Sequence, residues 1–320
     1  MDENEQGIRT LIKRTNLTGN IEQLLVKIQK QYFIGQILDC EPILEGYEDA
    51  NFLISTLDKK YVLKIFSKSR SKSVIASYVK ILEQASSIHV PVINLVLGSD
   101  RAFLHAYAQV SYILTDFFEG NNFEEEKNTT RQDIISLTAH IAHLNTLNFP
   151  VEEDYDSWGN KNLIKEYERT KQYLLPDQMK LLNPAITRFS DLDFSRFSKA
   201  VIHGDMQRKH VLKNNKGEYC ILDFGCASYD AKLIELSTFL AWFCLSSENW
   251  NKKDEIIQTV VDEYQKIHML SVYELESIPA LIQAAYASYF LRTSVLINTG
   301  DTSTETKQWH EEAKQMLEKT

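Results

Sequence analysis

The sequence predicts an α+β fold in two lobes, a small antiparallel-sheet lobe followed by a mainly helical one. Three observations predict it. Short β-prone runs crowd into the first third of the 320 residues. Helical periodicity dominates from Arg131 onward. A single β-prone island at 199–224 interrupts the helices and carries two aspartates at strand ends.

Residues 5–32 read as two helices broken near Thr18-Gly19, the second with a stripe of Ile21, Leu24, Leu25 and Ile28. Strands follow at 33–40, 51–57 and 61–66, and the polar turn Asp58-Lys59-Lys60 joins the last two as a hairpin. A helix at 72–87 stops before Pro91, and strands at 92–97 and 103–117 complete the order β-β-β-α-β-β. The polar stretch 119–131 is the expected connection, so the lobes divide at 1–118 and 119–320. In the second lobe Ile134, Leu137, Ile141, Leu144 and Leu147 form one apolar stripe, a core helix. Further helices are expected at 161–175, 232–245, 254–267, 272–297 and 304–318.

Composition narrows the class. Hydrophobic residues at 43% and charged residues at 25% are ordinary for a globular chain with a sizeable core. A net charge of −9 argues against a nucleic-acid partner. It suits a cationic small substrate, and solubility alone accounts for it equally well. The four cysteines, Cys40, Cys220, Cys226 and Cys244, form no CxxC pair and read as free thiols of a reducing compartment. The start lacks the basic and apolar regions of a secretory signal, and no run of apolar residues reaches the ~18 that a membrane span needs. A cytoplasmic protein with no membrane partner is expected.

The chemistry concentrates in Val201-Ile-His-Gly-Asp-Met-Gln-Arg-Lys-His-Val-Leu212 and Tyr219-Cys-Ile-Leu-Asp-Phe-Gly225. Asp205 and Asp223 lie 18 residues apart around a polar turn at 213–217. A hairpin would set the two carboxylates side by side. Such a pair suits Mg²⁺, which takes hard oxygen ligands and keeps water and phosphate oxygens. It also suits phosphoryl transfer, where one carboxylate orients the nucleophile and the other holds the metal.

His203-Gly-Asp205 and Leu222-Asp223-Phe-Gly225 resemble the catalytic and metal-binding loops of the aminoglycoside phosphotransferases. Choline kinases, homoserine kinases of the same superfamily and, more remotely, protein kinases share that plan. The resemblance covers about 36–240 and implies a two-lobed, protein-kinase-like fold. It implies a small-molecule kinase that moves the γ-phosphate of ATP or GTP to a hydroxyl, with Mg²⁺ or Mn²⁺ as cofactor. Asp205 would be the catalytic base, Asp223 the metal ligand and His203 a buttress of the loop. Lys64, alone in the apolar strand Tyr61-Val-Leu-Lys64-Ile-Phe66, looks like the lysine that meets the α- and β-phosphates. Gly46 and Asn51 belong to the turn that covers the phosphates, and Asp116 and Phe118 to the hinge that reads the base. Glu235 matches a family acid that supports the catalytic loop from behind.

Two departures stand out. His210 occupies the place, five residues after Asp205, where the family carries a metal-binding asparagine. It stands as a bystander, as a ligand to a softer metal such as Mn²⁺, or as an empty second metal place. The helix glutamate that normally pairs with the strand lysine falls on Ser77 or Tyr78, with Glu83 too far along. Both departures keep open a nucleotide-binding pseudokinase or interaction module. The acidic run Glu152-Glu153-Asp154-Tyr155-Asp156, followed by Trp158, reads as a solvated loop or as the lining of a cationic acceptor site. Trp242 reads as core.

Overall fold

A computed structural model describes residues 3–18, 20–46, 48–126 and 129–320. Met1, Asp2, Gly19 of the expected helix break, Tyr47 of the expected phosphate turn, and Lys127 and Asn128 of the polar connection lie outside the described residues. The chain forms two compact units, one of residues 1–121 with 212–222, the other of residues 122–211 with 223–320.

The first unit opens with helices α1 (Glu3–Ile12) and α2 (Ile21–Tyr32). The Asn20 side chain caps α2 by accepting the Glu22 N–H at 3.0 Å. Strands β1 (Ile37–Ile43), β2 (Ala50–Thr56) and β3 (Lys60–Ile65) follow, then helix α3 (Lys72–Ser87), and then β4 (His105–Tyr107), β5 (Val110–Asp116) and the short β6 (Asn121–Asn122). β1 to β5 make one antiparallel sheet ordered β1-β2-β3-β5-β4. Phe52, Ile54, Leu63, Ile65, Tyr112 and Leu114 share its buried face with Leu24, Ile28 and Tyr32 of α2. Strand alternation turns Asn51 and Lys64, register partners across β2 and β3, to the other face.

The five strands are not the ones expected. Residues 92–97 form only isolated bridges, Val92 to Ile221 and Leu95 to Thr115. The fifth strand comes instead from the run 103–117, which folds into the β4–β5 hairpin. Its reversal lies at Ala108 and Gln109, with φ of 42° and 68°. Two successive left-handed residues give a tight turn that matches strand twist, and neither residue type announces it. Phe33, expected in the first strand, is the left-handed C-cap of α2.

The second unit contains α4 (Phe123–Glu126), α5 (Arg131–Leu144), α6 (Leu163–Thr170), α7 (Pro176–Ser190), β7 (Lys199–Ile202), β8 (Val211–Lys213, continuing into the first unit), β10 (Ser228–Ala231) and α8 (Lys232–Phe239). It closes with α9 (Lys253–Tyr264), α10 (Val272–Asn298) and α11 (Thr304–Leu317). Strand β9 (Tyr219–Ile221) belongs to the first unit and hydrogen-bonds to β8. Thr130 and Asp133 cap α5 reciprocally, and Ile134, Leu137, Ile141 and Leu144 are buried as the stripe required. α7 was not expected. Pro176 opens it where a missing N–H costs nothing, while Pro184 sits inside it and masks its helical pattern. β10 was also missed, and it changes the pairing. β7 pairs antiparallel with β10, so Asp205 and Asp223 do not come from one hairpin.

α10 is the central helix of this unit. By length and composition it could cross a membrane, yet 78% of its most apolar window is buried within the fold. A helix apolar on all sides is what a core position demands. Asn145, just past α5, ties the helices to β7. Its Nδ2 donates to the Val201 carbonyl at 3.0 Å, and the Tyr264 hydroxyl donates to its Oδ1 at 2.7 Å. β7 is thereby held at the point where it delivers His203-Gly-Asp205.

Candidate active site

In the first unit Lys64 is 15% exposed and its ammonium lies 2.8 Å from Asp49 Oδ2. Asp49, 4% exposed, also faces the Arg70 Nε at 3.1 Å and accepts the Ser67 N–H at 2.9 Å. Burial alone would raise the Asp49 carboxyl. Lys64, Arg70 and the Ser67 N–H more than offset that and hold it below the usual carboxylate range. The Lys64 counter-ion therefore stands just ahead of β2 rather than on α3. Of Ser77 and Tyr78, the two candidates for the missing helix glutamate, Tyr78 places its ring under the Lys64 ammonium at 5.6 Å from its centroid. Sequence reading found Lys64 and the segment holding Asp49, but assigned that segment only to the phosphate turn.

Gly46 turns with φ of 85°, and its carbonyl accepts Arg14 Nη1 at 2.8 Å. Asn51 sits across from Lys64 on β2. Asp116 ends β5, pairs with Lys59 at 2.6 Å, and donates its N–H to the Asn94 carbonyl at 2.9 Å. Phe118 follows, half-buried.

In the second unit the His203-Gly204-Asp205 loop hangs on Glu235. This carboxylate, fully buried, takes the N–H of His203 and, at 3.1 Å, the N–H of Gly204 on one oxygen, Oε2. Burial raises its carboxyl to about 7, against the lowering effect of the two N–H donors. Gly204 has φ of 82°, and a Cβ there would meet the Cys226 carbonyl oxygen at 2.6 Å. Only glycine allows that turn. His203 packs edge-on to Phe224 at 4.5 Å, and its Nδ1 accepts the Asp205 N–H at 3.2 Å.

The Asp205 carboxylate is held from one side. Its Oδ1 accepts from Gln207 Nε2 and, at 3.3 Å, from the Tyr289 hydroxyl. Burial keeps the Tyr289 phenol far above its ordinary value, so it remains a donor. The other oxygen, Oδ2, lies 3.4 Å from His210 Nδ1. Neither Gln207 nor Tyr289 was singled out from the sequence. Gln207 was within reach, two residues past Asp205, whereas Tyr289 lies 84 residues downstream on a helix that reads as pure core.

Asp223 takes a left-handed conformation, φ 60°, uncommon for a residue with a side chain. Its carboxylate is 51% exposed and accepts the Gly225 N–H at 3.3 Å. His210 stands between the two acids. Its Nδ1 contacts the Asp205 backbone carbonyl at 2.8 Å and must be the protonated nitrogen, because a carbonyl only accepts. Nε2, the nitrogen free to meet a metal in the neutral ring, lies 3.8 Å from Asp223 Oδ2. The set suits a divalent cation with Asp223 as oxygen ligand and His210 as nitrogen neighbour. Among the described residues no three His, Cys, Asp or Glu side chains form a metal-sized cluster, so phosphate and water oxygens would complete the shell.

The phosphotransferase enzyme family matches this chain over residues 39–267. The chain belongs to that family. Its relatives include the homoserine kinase of Bartonella henselae, 23% identical over 267 residues and 82% of both chains. The homoserine kinase of Methylobacillus flagellatus is 19% identical over 264 residues, 82% of this chain and 81% of the other. Amicoumacin kinase in complex with AMP-PNP and Ca²⁺ has a similar structure, with a TM-score of 0.70, 15% identity, and coverage of 94% of this chain and 93% of that one. A microcompartment-associated aminopropanol kinase follows at 0.68, 14% identity, 93% and 95%. The structural likeness establishes the kinase-like fold. Together with the family match and the relatives it identifies a phosphotransferase of small molecules that acts on a hydroxyl group.

Asp49→Asn keeps the Lys64 charge but removes what aims it. Turnover is predicted to fall ~10- to 100-fold while ATP affinity stays within about threefold, since misplacement costs rate more than Coulomb attraction. Steady-state kinetics beside calorimetry separates the two. Tyr78→Glu in that background should recover turnover by supplying the acid from α3.

Glu235 gives a pH signature. Below its unfolded value of 4.5 the carboxyl is protonated in both folded and unfolded chains. As pH rises towards 7 the unfolded chain releases the proton first, so this group's contribution to stability declines through that window. Glu235→Gln should flatten the decline and still accept both N–H groups. Glu235→Ala should cost about 2–4 kcal/mol by orphaning them. Urea unfolding across the pH range reads both.

Proposed function

We propose that the chain uses ATP and Mg²⁺ to phosphorylate the hydroxyl of a small molecule, with Asp205 as the base. The observation that carries this reading is the one-sided hold on Asp205. Gln207 and Tyr289 occupy Oδ1, which leaves Oδ2, with His210 Nδ1 3.4 Å away, to meet the acceptor. The acceptor oxygen attacks the γ-phosphorus as the bond to the β–γ bridging oxygen breaks. ADP leaves with that electron pair, and the hydroxyl proton passes to Asp205 Oδ2. Such transfer is mostly positioning and electrostatics.

Lys64 takes the α- and β-phosphates, with Gly46 and Asn51 on the covering turn and Asp116 and Phe118 at the base. Residues 1–118 thus serve the nucleotide and 119–320 the chemistry and the acceptor. Asp223 would hold Mg²⁺, with His210 beside it, and the bound ion would neutralise charge on the β- and γ-phosphates. The missing helix glutamate no longer favours a non-catalytic module, because Asp49 supplies the counter-ion.

Asp205→Asn should abolish transfer while ATP binding survives, since this side chain meets the acceptor rather than the triphosphate. An equal loss of both in calorimetry and phosphate-transfer assays would remove Asp205 from the role. His210→Asn should raise the ratio of Mg²⁺- to Mn²⁺-supported turnover about threefold or more, because an amide oxygen suits Mg²⁺ better than an imidazole nitrogen. A fall in turnover with both metals would instead make His210 a structural prop of the loop.

A further inference from the structure

The loop that carries Asp205 is held at both ends by one helical rod. At its near end Glu235 of α8 takes the His203 and Gly204 N–H groups. At its far end the half-buried Arg208 opens the 3₁₀ turn Arg208–His210. Its guanidinium reaches the other end of the same rod, where α8 runs on into a π-helical turn, Leu240–Cys244. Arg208 Nε donates to the Phe243 carbonyl at 2.9 Å, and Nη2 to the Leu245 carbonyl at 3.4 Å.

A helix end leaves its last carbonyls without partners inside the helix. Here side chains supply them. Besides the two that Arg208 takes, the Ala241 carbonyl accepts the Tyr286 hydroxyl of α10 at 2.9 Å, and the Cys244 carbonyl accepts Asn249 Nδ2 at 2.9 Å. The negative end of a helix favours a cation, and a rigid fork of donors serves two carbonyls where an ammonium is a single point. The place of Arg208 in the chain gives this tie its weight. Gln207, just before it, donates to Asp205 Oδ1, and His210, two residues after it, meets the Asp205 carbonyl at 2.8 Å. The helix end that Arg208 grips carries Trp242, whose ring packs on Tyr289 at 4.4 Å, and the Tyr289 hydroxyl donates to Asp205 Oδ1 at 3.3 Å. The contacts close a ring that runs from Asp205 through Tyr289, Trp242, Phe243, Arg208 and Gln207 back to Asp205. Met206 is fully buried in the same loop, yet an unbranched thioether accepts more than one packing and cannot fix the turn alone.

We infer that Arg208 is a positioning residue, which clamps the far end of the loop to the π-helical turn and so sets Asp205, Gln207 and His210 in register. Its weight in phosphate transfer rests on the reading of Asp205 as the base. The rival role for Arg208 is ion pairing with Glu312 of α11, whose carboxyl is raised by burial and partly lowered by the Arg208 charge.

The test uses the full chain, and its direct readout is the His210 Nδ1–H resonance in NMR of isotope-labelled histidine, assigned by its loss in His210→Asn. Arg208→Met keeps the stem but no donor, and should speed exchange of that proton about tenfold or more by local opening of the loop, with the backbone resonances of α5 and α9 unmoved. Transfer from ATP to L-homoserine or 3-amino-1-propanol, used as probe alcohols, should fall ~10- to 100-fold in this variant with the KM for ATP within about threefold. Arg208→Lys, one ammonium for two carbonyls, should recover part of both signals, and methylguanidinium added to Arg208→Ala should recover more. Glu312→Gln should change neither. The inference is overturned if Arg208→Met leaves the His210 proton protected, or if Glu312→Gln has the same effect as Arg208→Met. It is overturned too if the α5 and α9 resonances move with the loop, which would make Arg208 a general support of the fold. A loosened His210 proton with undiminished transfer would keep the clamp and count instead against Asp205 as the base.

Discussion

The His203-Gly204-Asp205 loop depends on one buried carboxyl group. Glu235 is sealed from water behind the loop, and a single oxygen gathers the N–H groups of His203 and Gly204. Those two donors belong to a glycine turn that no other residue can make, and they would be stranded without it. Everything downstream follows from that anchorage. His203 can receive the Asp205 N–H, Asp205 can reach Tyr289, and His210 can close back on the Asp205 carbonyl. The cost is borne by Glu235, whose burial works against its ionised form.

Much of this was legible in the sequence, and the reasons are local. HGD and DFG are short runs whose geometry is fixed by neighbours in the chain, so Asp205 and Asp223 could be singled out directly, while Glu235 came only from the family resemblance. Lys64 was legible as a charge inside an apolar strand, and the HGD and DFG runs downstream gave it an expected role. What escaped was long-range or hidden by a local signal that tertiary contacts overrode. Asp49 finds Lys64 across 15 residues through strand pairing, which no periodicity records. Tyr289 looks like any other aromatic residue of a buried helix until the fold sets it against Asp205. Pro184 argued against a helix that packing of Leu182, Ala185 and Phe189 nonetheless holds.

The two departures from the family pattern are both met locally. The acid that pairs with Lys64 stands at the head of β2, and the Tyr78 ring lies under the same ammonium. At the other site the His210 imidazole reaches the Asp205 carbonyl through Nδ1 and lies 3.8 Å from Asp223 through Nε2. At 23% identity to a homoserine kinase, the chain belongs to the same phosphotransferase family.

The central helix α10 has a consequence for how this enzyme can change. Tyr289 sits on the 27-residue element that fills the core of its unit. Specificity built on surface loops can drift freely, because loops tolerate insertion and exchange. A residue on a core helix cannot, since each substitution must also satisfy close packing, as Tyr289 does against Trp242. Change around Asp205 is therefore cheaper at Trp158 and Trp309, which meet the Tyr289 ring from outside that helix, while the helix itself acts as a brake on divergence.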